Sequence, residues 1–193
     1  IIFSTTEPQS VPLEDVSSVV TITTNVVRNE LVMSGVSVAS GESFSLPVLL
    51  DNDTELSAFQ CDVYLPEGIA FALNEDGEID VTLNPTRATS SHTITATVQP
   101  NGAVRIAAYS SQSKPFKDNS GELFYLNLRS DKKVEGEKTI EIKNVICSTI
   151  DASAIFVADV AVVCEFTNKM YQITYMVDGE VYATEQIAYG STI

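Results

Sequence analysis

The chain has 193 residues, of which 44% are hydrophobic, so it is long enough and apolar enough to build a packed core. Its 26 Asp and Glu residues outweigh 11 Lys and Arg residues and give a formal net charge of -15. A surface this acidic repels phosphate backbones and anionic lipids, which excludes nucleic acid and anionic membrane surfaces as partners. No apolar run approaches the roughly 18 residues that a membrane-spanning helix needs, so we expect no direct membrane insertion of this fragment.

Residues 1–28 form the first of three predicted segments. Prolines interrupt its beginning, and residues 19–27 have the β-branched composition of one short strand. We interpret the segment as the tail of a preceding module or as an added edge strand. It contains no basic stretch followed by an apolar run, so we expect any export signal or anchor to lie outside this fragment.

Residues 29–168 form the main predicted domain, and their apolar and polar side chains alternate. An alternation of period two is typical of strands that bury one face. The runs that show it are residues 44–50, 61–65, 93–98, 104–109, 123–128, 140–143 and 161–166. Turn-forming residues such as Pro100-Asn101-Gly102 separate them. Many short strands with regular turns predict an all-β fold, a sandwich of two sheets.

Residues 169–193 are predicted to form a C-terminal β-hairpin. Two alternating runs, residues 171–177 and 180–185, flank Asp178 and Gly179. An Asp-Gly pair is a preferred sequence for a two-residue type I′ turn. Because an isolated hairpin is only marginally stable in water, we expect this one to belong to a further unit that the fragment truncates.

The order of elements from residue 30 to residue 167 resembles that of a cohesin domain. The segments that carry the resemblance are residues 40–48 (SGESFSLPV), 58–71 (AFQCDVYLPEGIAF), 118–128 (DNSGELFYLNL) and 138–147. The resemblance implies an antiparallel jelly-roll β-sandwich of about nine strands, a fold shared with many carbohydrate-binding modules. It also implies a non-catalytic interaction module.

Residues 171–193 resemble the start of a Listeria–Bacteroides repeat, a β-grasp unit that occurs in tandem on bacterial surface proteins. The matching positions are Tyr171, Tyr175, Val177, Asp178, Gly179, Tyr182, Thr184, Tyr189, Gly190 and Ile193. Together the two resemblances imply an exported, multi-module, Bacteroides-type surface protein. They place the chain outside the cell, at the cell surface, with a role in cell adhesion.

The cohesin resemblance also indicates a partner-binding face. Cohesins bind the helix pair of a dockerin with one sheet face, and Gln60-Cys61-Asp62 matches the family pattern that puts an aspartate at the recognition position. Six residues are therefore candidates for partner binding: Asp62, Gln60, Tyr64, Tyr109, Ser110 and Ser111. Ser and Tyr replace the acidic and hydrophobic residues of the family's neighbouring strand, so the partner is either dockerin-like or another surface protein. An outward Asp62 that is merely solvated is the structural alternative.

Two other functions are consistent with the same sequence. Tyr64, Tyr109 and Tyr125 all fall on the side of their strands opposite the core and are candidates for an aromatic platform that binds a glycan. The chain contains no Trp, the residue most often used for that purpose. A passive spacer that only displays neighbouring modules would need no such residues.

Catalytic and metal-binding patterns are missing from the sequence, so we predict no enzyme and no cofactor. His92 is the single histidine, which leaves no histidine-based metal site. Residues 74–80 resemble a calcium loop, but the EF-hand pattern would place ligands at Ala72 and Leu83, which cannot coordinate a cation. A calcium site that uses residues 51–53 between loops stays open.

The three cysteines, Cys61, Cys147 and Cys164, lack the spacing of a metal site and cannot all pair within one chain. Cys61 alternates with apolar neighbours and is predicted to be a buried thiol. A Cys147–Cys164 disulfide is the one pairing that the sequence leaves open.

Overall fold

The computed structural model describes residues 27–188 and Ser191. Regular structure in these residues is entirely β and comprises 14 strands. They are β1 (Asn29–Met33), β2 (Ser37–Ala39), β3 (Ser43–Asn52), β4 (Leu56–Tyr64), β5 (Ile69–Phe71), β6 (Val81–Leu83), β7 (His92–Val98), β8 (Val104–Ser110), β9 (Glu122–Ser130), β10 (Gly136–Thr149), β11 (Ala154–Val157), β12 (Val160–Thr167), β13 (Met170–Val177) and β14 (Glu180–Ala188). The strand predicted at residues 19–27 lies outside the described residues, apart from Val27.

The first twelve strands form two stacked sheets. Sheet one has the order β1-β3-β9-β5, with β6 also pairing to β9, and sheet two has the order β2-β12-β10-β4-β8-β7, with β11 also pairing to β10. The all-β jelly-roll sandwich is therefore confirmed. Neighbouring strands pair antiparallel except β2 and β12, which are parallel. The strand number exceeds the predicted nine because β1, β2, β5, β6 and β11 have only three to five residues, too few for alternation to be read.

The core fills the space between the two sheets, and aromatic pairs join them. Phe59 of β4 stacks on Phe124 of β9, with ring centroids 4.8 Å apart. Phe44 of β3 meets the edge of Phe166 of β12 at 5.7 Å. Alternate side chains of the long strands are completely buried around these pairs: Leu46, Val48, Leu50, Ile106, Leu126, Leu128, Ile140 and Ile142. Burial of one face of each strand is what the alternation predicted.

A β-bulge interrupts the long strand β10. Its pairing with β4 shifts register between Lys143 and Ile146, and Asn144 between them adopts a left-handed backbone with φ of 54°. An extra residue reverses the faces of every side chain that follows it in a strand. Val145 and Cys147 consequently point into the core, and Ile146 points out.

Strands β13 and β14 form the predicted C-terminal hairpin. Asp178 and Gly179 connect them with φ of 52° and 86°, the two positive values that a type I′ turn requires. The β13–β14 ribbon is a separate two-stranded sheet. The described residues include no helix long and apolar enough to cross a membrane.

Candidate functional site

The candidate site lies on the outer face of sheet two, the surface turned away from sheet one. Strand register places side chains in rows across this face, and cross-strand neighbours in such rows are about 5 Å apart. One row runs Phe156, Ile146, Gln60, Ala107 and Thr95 from β11 to β7. The adjacent rows contain Lys143, Asp62 and Arg105 on one side and Ser148, Ala58 and Tyr109 on the other.

Asp62 is on this face, as the alternation predicted, but its side chain is only 4% exposed. Arg105 of the neighbouring strand donates from Nε at 2.7 Å and from Nη2 at 2.9 Å, one bond to each carboxylate oxygen. Asn144 of the bulge donates from Nδ2 at 3.1 Å. The sequence-based expectation of an accessible Asp62 is therefore wrong, because the strand register covers it with two polar side chains.

The hydrogen bonds from Arg105 keep the pKa of Asp62 below its ordinary value of 3.8, against the opposing effect of burial, with a smaller contribution from Asn144. A fork of two parallel hydrogen bonds fixes the plane of the guanidinium as well as its position. The Arg105 side chain is itself 42% exposed. The pair therefore presents an oriented cation to solvent, with its counter-charge underneath.

The remaining five predicted residues divide between the face and its margin, and Tyr64 is at the margin as the last residue of β4. Gln60 is half-buried at the centre of the face, and Tyr109 is 52% exposed beside it. Ser110 and Ser111 instead hold the end of β8 to the start of β7. Ser110 Oγ bonds Ser91 Oγ at 2.9 Å and accepts the Lys114 amide at 3.0 Å, and Ser111 donates its amide to the Ser91 carbonyl at 2.9 Å. Both serines are thus committed to the turn.

The structure adds two apolar residues that the sequence analysis missed. Phe156 of β11 is 79% exposed, and its cross-strand neighbour Ile146 is half-buried. We call the set Phe156, Ile146, Gln60, Ala107 and Tyr109 the apolar patch, in which Gln60 is the one polar member. Strict alternation from Ile142 would have placed Ile146 in the core, so only recognition of the bulge at Asn144 would have revealed it.

The three tyrosines proposed as a glycan platform do not come together. Tyr125 is on β9 of sheet one, across from Pro47, so that part of the prediction is wrong. Tyr109 is opposite Ala58 of β4, whereas Tyr64 is at the other end of that strand. At about 3.3 Å per residue, Tyr64 is about 20 Å from Ala58. Its ring is also engaged, because Lys143 Nζ lies 5.5 Å from the centroid and Asn101 donates to the hydroxyl at 3.1 Å.

All three cysteines are buried free thiols. Cys164 is opposite Lys138 of β10, the strand that also carries Cys147. At about 3.3 Å per residue, Lys138 and Cys147 are about 30 Å apart along β10. The Cys147–Cys164 disulfide that the sequence left open is therefore geometrically impossible. Burial raises the pKa of Cys147 to about 11 and raises that of Cys61 further, the latter with help from the neighbouring Asp62 charge.

A buried arginine organises the loops around residues 51–53. Arg87 is 2% exposed, and its guanidinium donates to the carbonyls of Leu50 and Gly121 at 3.0 Å and to Asn52 Oδ1 at 2.8 Å. Asp53 accepts the Arg28 amide at 2.7 Å. In the described part of the chain no three His, Cys, Asp or Glu side chains converge on a possible metal position.

His92 serves the packing at the start of β7. Its ring stacks on Phe116 with centroids 4.4 Å apart, and its Nδ1 accepts the Thr89 amide at 3.0 Å. Burial lowers the pKa of His92, outweighing the hydrogen bonds that raise it. These contacts describe a neutral structural histidine.

Comparison with known proteins identifies the fold. No protein-family model and no curated protein matches the chain. A non-cellulosomal cohesin from Archaeoglobus fulgidus is 13% identical, with a TM-score of 0.57 over 72% of this chain and 91% of its own. The cohesin module of a family 33 glycoside hydrolase from Clostridium perfringens is 13% identical, with a TM-score of 0.57 over 73% of this chain and 98% of its own.

A third match is a type I cohesin from Clostridium thermocellum, solved as the Coh-OlpC–Doc435 cohesin–dockerin complex. It is 12% identical, with a TM-score of 0.57 over 76% of this chain and 99% of its own. At such identities a likeness extends to the fold, and the activity is a separate question. The chain has the fold of a cohesin module.

Proposed function

We propose that this chain is a non-catalytic interaction module that binds another protein through the outer face of sheet two. The observation that carries the proposal is the apolar patch, with Phe156 79% and Tyr109 52% exposed. Grouped apolar side chains rimmed by polar residues mark interaction surfaces. Aromatic and arginine side chains are also the residues that most often dominate binding energy, and Arg105 borders the patch.

The class of partner is supported by the fold. The Clostridium thermocellum cohesin that shares it was solved in complex with a dockerin. The resemblance of residues 58–71 to the cohesin strand that meets the dockerin points to the same face of β4. The proposed partner is therefore a dockerin-like helical module or another surface protein that presents an apolar surface.

In this proposal Asp62 is a positioning residue rather than a contact. Its carboxylate is covered, so a partner meets Arg105, whose guanidinium Asp62 holds in plane. Gln60 and Tyr109 keep the contact roles expected of them, and Phe156 and Ile146 join them. Ser110 and Ser111 support the end of the face through the turn that they stabilise.

The proposed setting is a modular protein at the extracellular surface. We propose domain boundaries at residues 28/29 and 168/169, and the end of β12 at Thr167 supports the second of them. Tyr171, Ile173 and Tyr175 share one face of the hairpin, while Gln172 and Thr174 share the other. An amphipathic two-stranded ribbon is typical of part of a larger unit, which supports a β-grasp repeat beginning at residue 169.

The test is binding of the protein to immobilised dockerin modules, including Doc435, and to cell-surface proteins of the source organism. Phe156→Ser and Tyr109→Ala should each weaken capture at least tenfold. Tyr182→Ala is the matched control, because Tyr182 on the hairpin is as exposed as Phe156, at 79%. Equal capture by all variants would refute this face as the binding surface, and binding only on a glycan array would assign the chain to the carbohydrate-binding class.

A further inference from the structure

Strand β7 forms an open edge of sheet two. The sheet order ends at β7, and its pairing with β8 runs without a bulge from His92 to Val98. Proteins protect strand edges with Lys, Pro, bulges or very short strands, because an exposed edge can pair with another chain. The sequence HTITATV has none of these features over its seven residues. The short edge strands β2 and β5, in contrast, have three residues each.

The hydrogen-bond pattern between β7 and β8 determines which backbone amides and carbonyls of β7 point to its open side. The Ser111 amide donates to the Ser91 carbonyl and the Gln99 amide donates to the Ala103 carbonyl, at either end of the β7–β8 pair. In an antiparallel pair, alternate residues bond the same neighbour. Thr93, Thr95 and Thr97 therefore bond β8, while Ile94, Ala96 and Val98 direct their amides and carbonyls to the open side.

A groove of about 460 Å³ runs along this edge. On its other side lie the loop before β6 and the first residue of β6, with Ile79 and Val81 providing apolar surface. The side chains of Ile94 and Ala96 are half-buried in the same groove, and Val98 is 64% exposed. An added strand would thus find backbone partners and an apolar floor for every second side chain.

One rim of the groove is an acidic loop, in which Glu78 lines the groove directly. Glu75, Asp76 and Glu78 are exposed in the loop, and Asp80 follows them. None of the four takes part in the ion pairs formed within the described part of the chain. An occupant with Lys or Arg at its ends would be attracted to this rim.

We propose that β7 is a strand-addition site for an extended segment of a partner protein that alternates apolar residues and carries basic residues at its ends. Such β-augmentation takes affinity from main-chain hydrogen bonds and specificity from alternate side-chain pockets. A second copy of this chain fits less well, because pairing β7 with β7 would bring two acidic rims together on chains of net charge -15. This site is separate from the apolar patch, so neither proposal depends on the other.

The probe is the synthetic peptide Lys-Lys-Val-Thr-Val-Thr-Val-Lys, titrated into the protein and followed by NMR. Binding should shift the amide signals of Ile94, Ala96 and Val98 and slow their hydrogen exchange. Ala96→Pro should weaken binding at least tenfold, because it removes an outward amide without breaking a bond to β8. Thr93→Ala is the matched control, since Thr93 is exposed on the outer face of β7 and does not line the groove, and it should change affinity less than twofold.

Two further measurements keep the proposal testable if Ala96→Pro does not fold. The same peptide N-methylated at its three valines should not bind the unmodified protein, and a peptide with Glu in place of Lys should bind at least fivefold more weakly. No binding of the probe at millimolar concentration, or equal binding of the N-methylated peptide, would overturn the proposal. Dimerisation that Ala96→Pro abolishes, without peptide binding, would overturn it in favour of a second copy.

Discussion

The most demanding test of the fold is replacement of the buried guanidinium of Arg87. Arg87→Met keeps the aliphatic length of the side chain but removes every donor. The acceptors that lose their bonds are on Leu50, Asn52, Lys117, Asp118 and Gly121. Hydrogen bonds from a charged group contribute about 1.5–3 kcal/mol each. These contributions do not add, because the five acceptors share one cation and water would partly hydrate them after its loss. Each buried acceptor left unsatisfied costs about 1–3 kcal/mol, and because these costs are less than additive we expect Arg87→Met to lose about 3–5 kcal/mol in total.

That loss would be a large part of the roughly 5–15 kcal/mol that stabilises a typical domain. It corresponds to a drop in Tm of about 10–15 °C for a domain of this size. Urea denaturation followed by circular dichroism would measure the change in unfolding free energy directly. Arg28→Met is the control, because Arg28 forms surface ion pairs with Glu30 and Asp51 at 3.3 and 3.4 Å and should cost less than about 1 kcal/mol.

Arg87→Lys separates the charge from the shape of the guanidinium. A lysine restores the charge but presents a single ammonium where Arg87 uses a planar fork, so it should recover less than half of the lost stability. If Arg87→Met cost less than about 1 kcal/mol, the hydrogen-bond reasoning would be refuted. Full recovery by lysine would refute the role assigned to the fork.

Three more outcomes are expected. Because folding lowers the pKa of Asp62, its carboxylate stabilises the fold above its ordinary pKa of 3.8, and this stabilisation is lost as the pH falls through the pKa of the folded protein. Asp62→Asn should therefore flatten the decline of the urea midpoint below pH 4. Identical slopes for the two proteins would count against this expectation. Asn144→Ala should be about 1 kcal/mol less stable than Asn144→Gly. Both variants lose the hydrogen bond to Asp62, but only alanine is strained at a φ of 54°. Equal urea midpoints for the two variants would exclude backbone strain. The three buried thiols should not react with a thiol reagent at pH 8 until urea unfolds the chain. Rapid labelling of the native protein would contradict their burial.

The sequence was sufficient to predict the long strands, and the reason is physical. Strands such as β3 and β9 bury one face, so their alternation follows from the need to keep polar residues out of the core. Short edge strands such as β5 and β6 are defined by backbone pairing to β9 and by little else. Nothing in three residues distinguishes such a strand from a loop.

The candidate site was predicted less well, because side-chain contacts across strands depend on register. Alternation correctly placed Asp62 on the outer face of β4. It could not indicate that Arg105 of β8 lies directly opposite, and that pairing is what covers the carboxylate. The glycan platform failed for a related reason, since parity alone does not indicate which sheet carries Tyr125.

One extra residue in β10 connects the two parts of the proposed binding face. The left-handed backbone of Asn144 lets its amide reach Asp62 and completes the network that holds Arg105. The same bulge turns Ile146 outward, next to Phe156 of β11. A strand without the bulge would bury Ile146 and expose Val145 and Cys147, exchanging a buried thiol for a surface one. The third hydrogen bond to Asp62 and the outward side chain of Ile146 therefore arise from a single departure from regular strand geometry, and a substitution that straightens β10 without deleting a residue should remove both together.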